Sequence, residues 1–266
     1  MFTIITDAQF GDEGKGKIVD LIAKDYDIVA RFQGGNNAGH TVKARDDIYK
    51  LHLIPSGILL DARVLIEPGV TLNPEVLAEE IMMFEKHGIE IDTRKLGIDA
   101  KTSIIMPYHI ELDKLREASR EQKIGTTQRG IGYAYIDKIA RDEIRMAELI
   151  DSKLFLTRLK ELAQQKEREI AAMGGDPKIV MDSTLIERYI ELGRRFATYI
   201  TDVSMEINEA LDEGKHVMAE AAQGTHLDIH YTWNPKIRNL FLYNHGLCLC
   251  QPWSRPYKSG QCDSYS

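Results

Sequence analysis

The sequence predicts an α/β fold with a mostly parallel central sheet and flanking helices. A first strand candidate covers 2–6 and runs directly into a glycine-bearing turn. Apolar residues at helical spacing follow at Ile18 and Leu21, and a second strand candidate covers 27–32. Strand, turn, helix and strand in this order form a βαβ unit, whose strands lie parallel in one sheet.

The later elements follow from similar patterns. Short apolar runs predict further strands, several of them separated by helical stretches, at 51–54, 63–66, 96–98 and 216–219. Asn73 as cap and Pro74 in the first turn predict the start of a helix. Apolar residues that recur at three and four among charged residues predict amphipathic helices over 152–173 and 182–213.

The segment between 119 and 141 shows little periodicity. It contains three glycines, Gly125, Gly130 and Gly132, within nine residues. This pattern predicts a long irregular loop, and such loops in compact domains usually serve a site.

Composition excludes some classes of protein. The 266 residues include 43% hydrophobic and 28% charged residues, which is typical of a globular protein with a large core. A net charge of -7 gives no basic field for nucleic acid or for an anionic membrane, so neither partner is expected. Apolar runs are far shorter than a membrane span, and no signal sequence is recognisable, so a cytoplasmic location is expected.

The composition changes at Tyr231. All three cysteines and both tryptophans follow it, and residues 232–266 carry four basic residues and one acidic residue. The sequence therefore predicts an incomplete α/β domain over 1–231 and an atypical, poorly ordered tail over 232–266. Cys248 and Cys250 are separated by one residue, so neither a zinc site nor a disulfide is expected there.

A glycine-rich segment lies between the first predicted strand and the first predicted helix. It satisfies the phosphate-loop pattern G-x4-G-K with Gly11, Asp12, Glu13, Gly14, Lys15, Gly16 and Lys17. Backbone amides in such a turn face a phosphate, the helix start adds its positive dipole end, and a lysine neutralises charge. Ile18 replaces the usual magnesium-binding Ser or Thr, so we expect Asp12 to hold Mg²⁺. The alternative is a glycine-rich turn with solvated charges.

A second glycine-rich segment, 33–41, follows the second predicted strand. Because the carboxyl ends of parallel strands meet at one edge of a sheet, we expect both segments to face one crevice. His40 would then lie beside the phosphate loop, where an imidazole can donate a proton or a hydrogen bond to a phosphoryl oxygen. A purely structural role for His40 is the alternative.

Five segments together resemble the adenylosuccinate synthetases. They read QFGDEGKGK at 9–17, GNNAGHT at 35–41, LHLIPSGI at 51–58, GTT at 125–127 and AAQGT at 221–225. The segments keep the family's order along the chain, so a chance agreement of all five is negligible.

The resemblance implies a ligase of AMP biosynthesis. Such enzymes join IMP and L-aspartate, with GTP as co-substrate and Mg²⁺ as cofactor, to form adenylosuccinate, GDP and phosphate. The resemblance implies that Asp12 removes the N1 proton of IMP and binds the metal together with the Gly39 carbonyl. It implies that His40 assists phosphoryl transfer to the purine O6, after which the aspartate amine displaces the activated oxygen.

The resemblance also implies which residues bind the substrates. Asn37, Thr127 and Gln223 would hold IMP, and Arg141 would reach the IMP of a neighbouring subunit, so a homodimer is expected. A solvated helix charge is the alternative for Arg141. The GTP-binding set would comprise Gly11, Asp12, Glu13, Gly14, Lys15, Gly16, Lys17, Gly39, His40 and Thr41.

After Tyr231 the chain departs from the family pattern. A one-base shift with suitable synonymous codons turns the residues from Thr232 onward into strings that resemble the family's next segments. We therefore hypothesise that the tail results from a frameshift, natural or introduced in sequencing, which the coding DNA at Tyr231 tests. The family's aspartate-binding loop and guanine motif are not recognisable in the chain, so impaired activity is expected.

The sequence is compatible with three functions. The first is the ligase activity of the family, and the second is a nucleotide-binding remnant without catalysis, such as a decoy subunit in a dimer. The third is an unrelated phosphate-loop kinase or GTPase, which Ile18 and the missing guanine motif disfavour.

Overall fold

Strands and helices alternate along the chain. The computed structural model describes residues 1–11, 13–37, 39–44 and 47–228, with the backbone alone at 40, 42–44, 47 and 48. The strands are β1 (Phe2–Asp7), β2 (Ile28–Arg31), β3 (His40–Ala44), β4 (Asp47–Leu51), β5 (Arg63–Ile66), β6 (Thr71–Leu72), β7 (Leu96–Asp99), β8 (Ser103–Ile104), β9 (Ile200–Thr201) and β10 (Val217–Gly224). The helices are α1 (Lys15–Ile22), α2 (Pro74–Lys86), α3 (Pro107–Ser119), α4 (Ile131–Ala140), α5 (Met146–Leu149), α6 (Ser152–Ala172), α7 (Ser183–Phe196) and α8 (Val203–Asp212).

The central sheet contains six parallel strands in the order β1-β10-β2-β5-β7-β9. β10 therefore lies between β1 and β2, with Ala219 opposite both Ile4 and Ala30. Every residue of β2 and of β10 is buried. Strands that are buried along their whole length are typical of a parallel sheet that is covered on both faces. The predicted α/β fold with a mostly parallel sheet is confirmed.

Helices cover both faces of the sheet. Val29 of β2 belongs to the larger core, which also contains Val19 of α1 and Phe84 of α2. Its neighbours Ile28 and Ala30 belong to a second core, which contains Val203 and Ile207 of α8. Since successive side chains of a strand point to opposite faces, the sheet is the middle one of three layers.

Most of the predicted elements are confirmed. β1, β2, β5, β7 and β10 lie where strands were expected, and α2 and α6 where helices were expected. Asn73 caps α2 as predicted, because its Oδ1 accepts hydrogen bonds from the amides of Glu75 and Val76 at 2.9 and 3.3 Å.

Three predictions needed correction. The strand expected at 51–54 is wrong beyond Leu51, since the next three amides bind a side chain instead of a neighbouring strand. The irregular segment expected up to residue 141 ends at Gly130, where α4 begins. The helical stretch 182–213 is interrupted by β9, which pairs with β7 and forms an edge of the sheet.

Candidate functional site

A cavity of about 520 Å³ opens at the carboxyl edge of β1, β10 and β2. This edge is where ligands bind in open parallel sheets. Among the described residues, its wall comprises Asp7, Phe10, Gly11, Gly14, Lys15, Gly16, Lys17, Arg31, Asn37, Gly39, Thr41, Glu220, Ala221, Ala222, Gln223 and Leu227. The two glycine-rich segments thus face one crevice, together with the end of a third strand.

The phosphate-loop segment joins β1 to α1, and Gly14 is the N-cap residue of the helix. The Glu13 carboxylate accepts hydrogen bonds from the amides of Ala8 and Gln9 at 3.0 and 2.8 Å. These hydrogen bonds connect the loop to the residues that follow β1. Glu13 is not among the cavity-lining residues. The start of α1 carries unpaired backbone amides that favour an anion.

The loop also packs tightly against the end of β10. A Cβ atom at Gly224 would overlap the Gln9 carbonyl oxygen and the Gly11 amide nitrogen. A Cβ atom at Gly11 would lie 3.3 Å from Gln223 Cα. Two glycines therefore allow the phosphate loop and the last strand to approach each other.

Lys15 does not project freely from the loop. Its ammonium group lies 2.7 Å from Asp7 Oδ2, and the Asp7 side chain is only 4% exposed. The ion pair joins the first residue of α1 to the last residue of β1. It fixes one positive charge of the loop at the cavity wall, whereas the nearby Lys17 is exposed.

Two predicted IMP ligands contact each other. Gln223 Nε2 donates a hydrogen bond of 2.7 Å to Asn37 Oδ1, and both residues line the cavity. Gln223 has a φ of 59°, an uncommon conformation for a residue with a side chain. This backbone turn at the end of β10 holds an amide side chain against the second glycine-rich segment.

Arg31 lies beneath the cavity, at the end of β2. Its guanidinium group is buried and donates to the carbonyl oxygens of His52, Gly35 and Gln33. Burial lowers the pKa of Arg31, whereas Glu220 and Glu80 act to raise it. Arg31 therefore connects the second glycine-rich segment to the segment after β4 through hydrogen bonds.

Two buried carboxylates complete this network by binding the LHLIPSGI segment. Glu80 accepts hydrogen bonds from the amides of His52, Leu53 and Ile54 at 2.7 to 3.3 Å. Burial raises the pKa of Glu80 to about 7, although those amides and Arg31 act to lower it. Glu220 accepts hydrogen bonds from the amide and the hydroxyl of Ser56 at 3.1 and 3.2 Å.

The predicted catalytic pair is described only in part. Asp12 lies outside the described residues, and His40 is described in its backbone alone, as the first residue of β3. Gly39, the other predicted metal ligand, lines the cavity beside the imidazole of His52. A Cβ atom at Gly39 would lie 2.8 Å from His52 Cε1.

The donor atoms at the cavity suit a magnesium ion. Oxygen donors of the kind Mg²⁺ prefers, the Asp7 carboxylate and the Thr41 hydroxyl, belong to residues that line the cavity with Gly39. In the described ranges, no three His, Cys, Asp or Glu side chains form a metal-binding cluster. That pattern is compatible with Mg²⁺, which usually takes one or two carboxylates and completes its shell with water and phosphate oxygens.

Thr127 and Arg141 lie apart from the cavity wall. Thr127 is exposed in the loop before α4, and Arg141 is exposed at the C-terminal end of α4 with a φ of 70°. The carbonyl oxygen of Arg141 accepts a hydrogen bond from Arg158 Nη2 at 2.8 Å. The structure thus brings together Asn37, Gln223 and the described loop glycines and lysines, but leaves these two outside.

Sequence reasoning missed Asp7, Arg31 and Glu220, which line the cavity. All three are charged residues inside or at the end of apolar strands. A buried charge needs a partner, so each was a recognisable signal of a polar network at that edge.

None of the helices in the described ranges could span a lipid bilayer.

Comparisons with known proteins agree on one family. A family model described as adenylosuccinate synthetase matches residues 4–239. The adenylosuccinate synthetase of Methanosarcina mazei is 81% identical over 229 residues, which are 86% of this chain and 60% of that protein. The adenylosuccinate synthetase of Clostridium kluyveri is 45% identical over 248 residues, which are 92% of this chain and 58% of that protein.

Solved structures give the same result. A fully ligated adenylosuccinate synthetase from Plasmodium falciparum has a TM-score of 0.83 at 29% identity and covers 97% of this chain and 59% of its own. The succinoaminodeoxyadenylate synthetase of cyanophage S-2L has a TM-score of 0.57 at 20% identity, which shows a shared fold alone. The matched region covers 88% of this chain and 54% of the cyanophage protein. The chain thus spans between 54 and 60% of the length of these four relatives.

Proposed function

The chain belongs to the adenylosuccinate synthetase family, and we propose that it serves the reaction of that family, the GTP-dependent joining of IMP and L-aspartate. One observation carries the proposal: the phosphate-loop segment, the second glycine-rich segment and the end of β10 line one cavity. A triphosphate and a purine nucleotide can therefore be held within reach of each other, as phosphoryl transfer requires.

The triphosphate would bind at the start of α1. Backbone amides around Gly14 and Gly16, with the positive end of the helix dipole, would hold phosphate oxygens. Lys17 is exposed and free to approach the phosphates, and Lys15 adds a positive charge whose position is fixed by Asp7. The remaining proposed contacts come from Gly11, Asp12, Glu13, Gly39, His40 and Thr41.

IMP would bind at the other side of the cavity. The paired amides of Asn37 and Gln223 offer both a donor and an acceptor, which is what a nucleotide with polar edges requires. Thr127 would reach the same ligand from the loop before α4. Arg141 would act on the IMP of a neighbouring subunit, so we propose a homodimer located in the cytoplasm.

The proposed chemistry has two stages. In the first, Asp12 takes the N1 proton of IMP and the γ-phosphoryl group of GTP moves to the purine O6, with GDP as the leaving group. The His40 imidazole donates a hydrogen bond to the transferred group. In the second, the aspartate amine attacks C6 and the phosphorylated oxygen leaves as phosphate. Mg²⁺, held by Asp12 and the Gly39 carbonyl, would neutralise charge on the phosphates.

The second candidate is a nucleotide-binding protein without catalysis. The change of composition at Tyr231, after which the chain departs from the family pattern, favours it. The cavity retains the phosphate loop and the Asn37–Gln223 pair, so binding of IMP is expected under both candidates.

Calorimetry and a phosphate-release assay separate the two candidates. We expect isothermal titration to detect binding of IMP and of MgGTP to the full chain. Phosphate release that requires GTP, IMP and aspartate together supports the ligase. Binding of IMP without phosphate release supports the non-catalytic candidate, and absence of binding by both nucleotides contradicts both proposals.

A further inference from the structure

Two carboxylates lie four residues apart on α3, so they share one face of the helix. Asp113 is half-buried and Glu117 is only 4% exposed. Neither residue lines the cavity, and neither belongs to a segment that carries the family resemblance. Both accept hydrogen bonds from the loop that joins α3 to α4.

The hydrogen bonds fall at the two ends of 125–130, the second half of that loop. Glu117 Oε1 accepts from the Gly125 amide at 2.6 Å. Asp113 Oδ1 accepts from the Thr126 hydroxyl at 3.1 Å, and Asp113 Oδ2 accepts from the Gly130 amide at 3.1 Å. Thr127 lies between these bonded positions. Hydrogen bonds to a charged acceptor are stronger than those between neutral groups.

The backbone of the loop requires such support. Gly125 and Gly130 have φ values of 78° and 74°, and Gln128, which is not a glycine, has a φ of 53°. A left-handed residue with a side chain persists only where its surroundings hold it. At Gly130 the chain returns to α3 so closely that a Cβ atom would lie 2.7 Å from the Ile110 amide nitrogen.

The same loop contacts the second glycine-rich segment. Arg129 donates a hydrogen bond to the carbonyl oxygen of Asn36, next to Asn37. Ile131, directly after the loop, packs on Gly35, where a Cβ atom would lie 3.0 Å from its side chain. Holding the loop on α3 therefore also fixes the relation of Thr127 to the Asn37 side of the cavity.

We propose that Asp113 and Glu117 are positioning residues, which hold both ends of the 125–130 loop so that Thr127 is presented to IMP. The inference rests on the proposed function, because it assumes that IMP is the ligand. It assigns no contact with substrate to either carboxylate. Their effect passes through the amides of Gly125 and Gly130 and through the Thr126 hydroxyl.

The test uses the full chain and variants of matched shape. In Asp113→Asn/Glu117→Gln each side chain keeps its size and loses its charge, and Thr126→Val removes the hydroxyl donor alone. Glu111→Gln, on the same helix, is the control, and Thr126→Ser keeps the donor. Trypsin cleavage after Lys123 and Arg129 measures how often the loop opens, and calorimetry measures the affinities for IMP and MgGTP.

We expect the double variant to be cleaved about tenfold faster at these two sites, because two or more charged hydrogen bonds are weakened. Its IMP affinity should fall by a similar factor, with MgGTP affinity unchanged and the melting temperature lowered by only a few degrees. Thr126→Val should show a smaller effect in the same direction, and Thr126→Ser and Glu111→Gln should behave like the wild type.

Equal cleavage of the double variant and the wild type would overturn the inference, whatever ligand the protein binds. Faster cleavage with unchanged IMP affinity would overturn the positioning role and leave the proposed function intact. If the wild-type chain binds no IMP, the proposed function and the role toward IMP both fail, and trypsin still decides whether the carboxylates hold the loop.

Discussion

Gln223 and Asn37 lie 186 residues apart in the sequence and are joined by a hydrogen bond of 2.7 Å at the cavity. The bond connects the end of β10 to the segment that follows β2. Because these strands are neighbours in the sheet, the contact depends on their register as well as on the two side chains. A change at either residue therefore tests the site directly.

We expect Gln223→Asn to weaken IMP binding about tenfold, which corresponds to the loss of one good hydrogen bond. Asparagine tolerates the left-handed backbone of this position, but its side chain is one methylene too short to reach Asn37. Calorimetric titration with IMP measures the effect. Gln164→Asn, exposed on α6, is the control, and an unchanged affinity of Gln223→Asn would contradict the assignment.

The Lys15–Asp7 pair gives a prediction about stability. Lys15→Met leaves the carboxylate of Asp7 without its partner at 4% exposure, so the free energy of unfolding should fall by about 3 kcal/mol. The double variant Asp7→Asn/Lys15→Met removes both charges and should recover most of the loss. Urea unfolding measures both variants, and equal losses in the two would show that the charge of Asp7 is not the cause.

Glu67, directly after β5, makes stability depend on pH. Burial, and secondarily Asp99, raises the pKa of Glu67 from 4.5 to about 8. The folded protein therefore holds a proton that the unfolded chain releases, and this contribution is complete below pH 4.5 and lost as pH rises through 8. Glu67→Gln should reduce the loss of unfolding free energy between pH 5.5 and pH 8.5 by about 3 kcal/mol.

Urea unfolding at both pH values measures this effect. The exposed Glu79 offers a matched control, since Glu79→Gln should retain the wild-type pH dependence. Glu80 shifts in the same direction, with a pKa of about 7, so part of the dependence should remain in the Glu67 variant. If the unfolding free energy of Glu67→Gln changes with pH as much as that of the wild type, Glu67 is not the source of the pH dependence.

Gly224→Ala should displace the phosphate loop, because the new methyl group would overlap the backbone of Gln9 and Gly11. We expect MgGTP affinity to fall by more than about tenfold, since the loop amides lose their positions. Ala172→Ser is the control, because Ala172 is exposed at the end of α6 and is not among the cavity-lining residues. If Gly224→Ala binds MgGTP with the wild-type affinity, the position of the phosphate loop does not determine triphosphate binding.

A buried charged cluster fastens α4 to α3 and α6. Asp137 accepts hydrogen bonds from His109 Nε2 at 2.9 Å and from Lys166 Nζ, and all three side chains are at most 2% exposed. Asp137→Asn should lower the free energy of unfolding by about 3 kcal/mol, because the buried Lys166 charge keeps only the more exposed Glu169 carboxylate, at 3.6 Å, as its counter-ion. Asp61→Asn, at an exposed position, should change little in the same urea experiment.

Much of the fold could be predicted because the parallel strands contain short apolar runs, such as Val64, Leu65 and Ile66 in β5. The insertion of β10 between β1 and β2 could not, since no local pattern encodes pairing across about 190 residues. The strand expected at 51–54 failed for a related reason. Its amides bind Glu80, which lies 26 to 28 residues further along the chain.

The part of the site that could be predicted is formed by loops that directly follow strands. Gly11, Gly39 and Gln223 reach one cavity because parallel strands end at one edge. The partner of Lys15 could not be foreseen from spacing, because the pair forms only when α1 packs beside the end of β1. Asp12, the side chain of His40 and the tail 232–266 lie outside the described residues, so those assignments stay predictions.

The strand that lies between β1 and β2, Val217–Gly224, is the last of the described strands to be synthesised. During translation, β1 and β2 leave the ribosome long before the strand that must lie between them. In the nascent chain, β1 and β2 therefore must not pair with each other before that strand is synthesised, or such a pairing must break again. The order of synthesis thus makes the closing of the sheet a late and slow event in folding, and the cavity forms only with it.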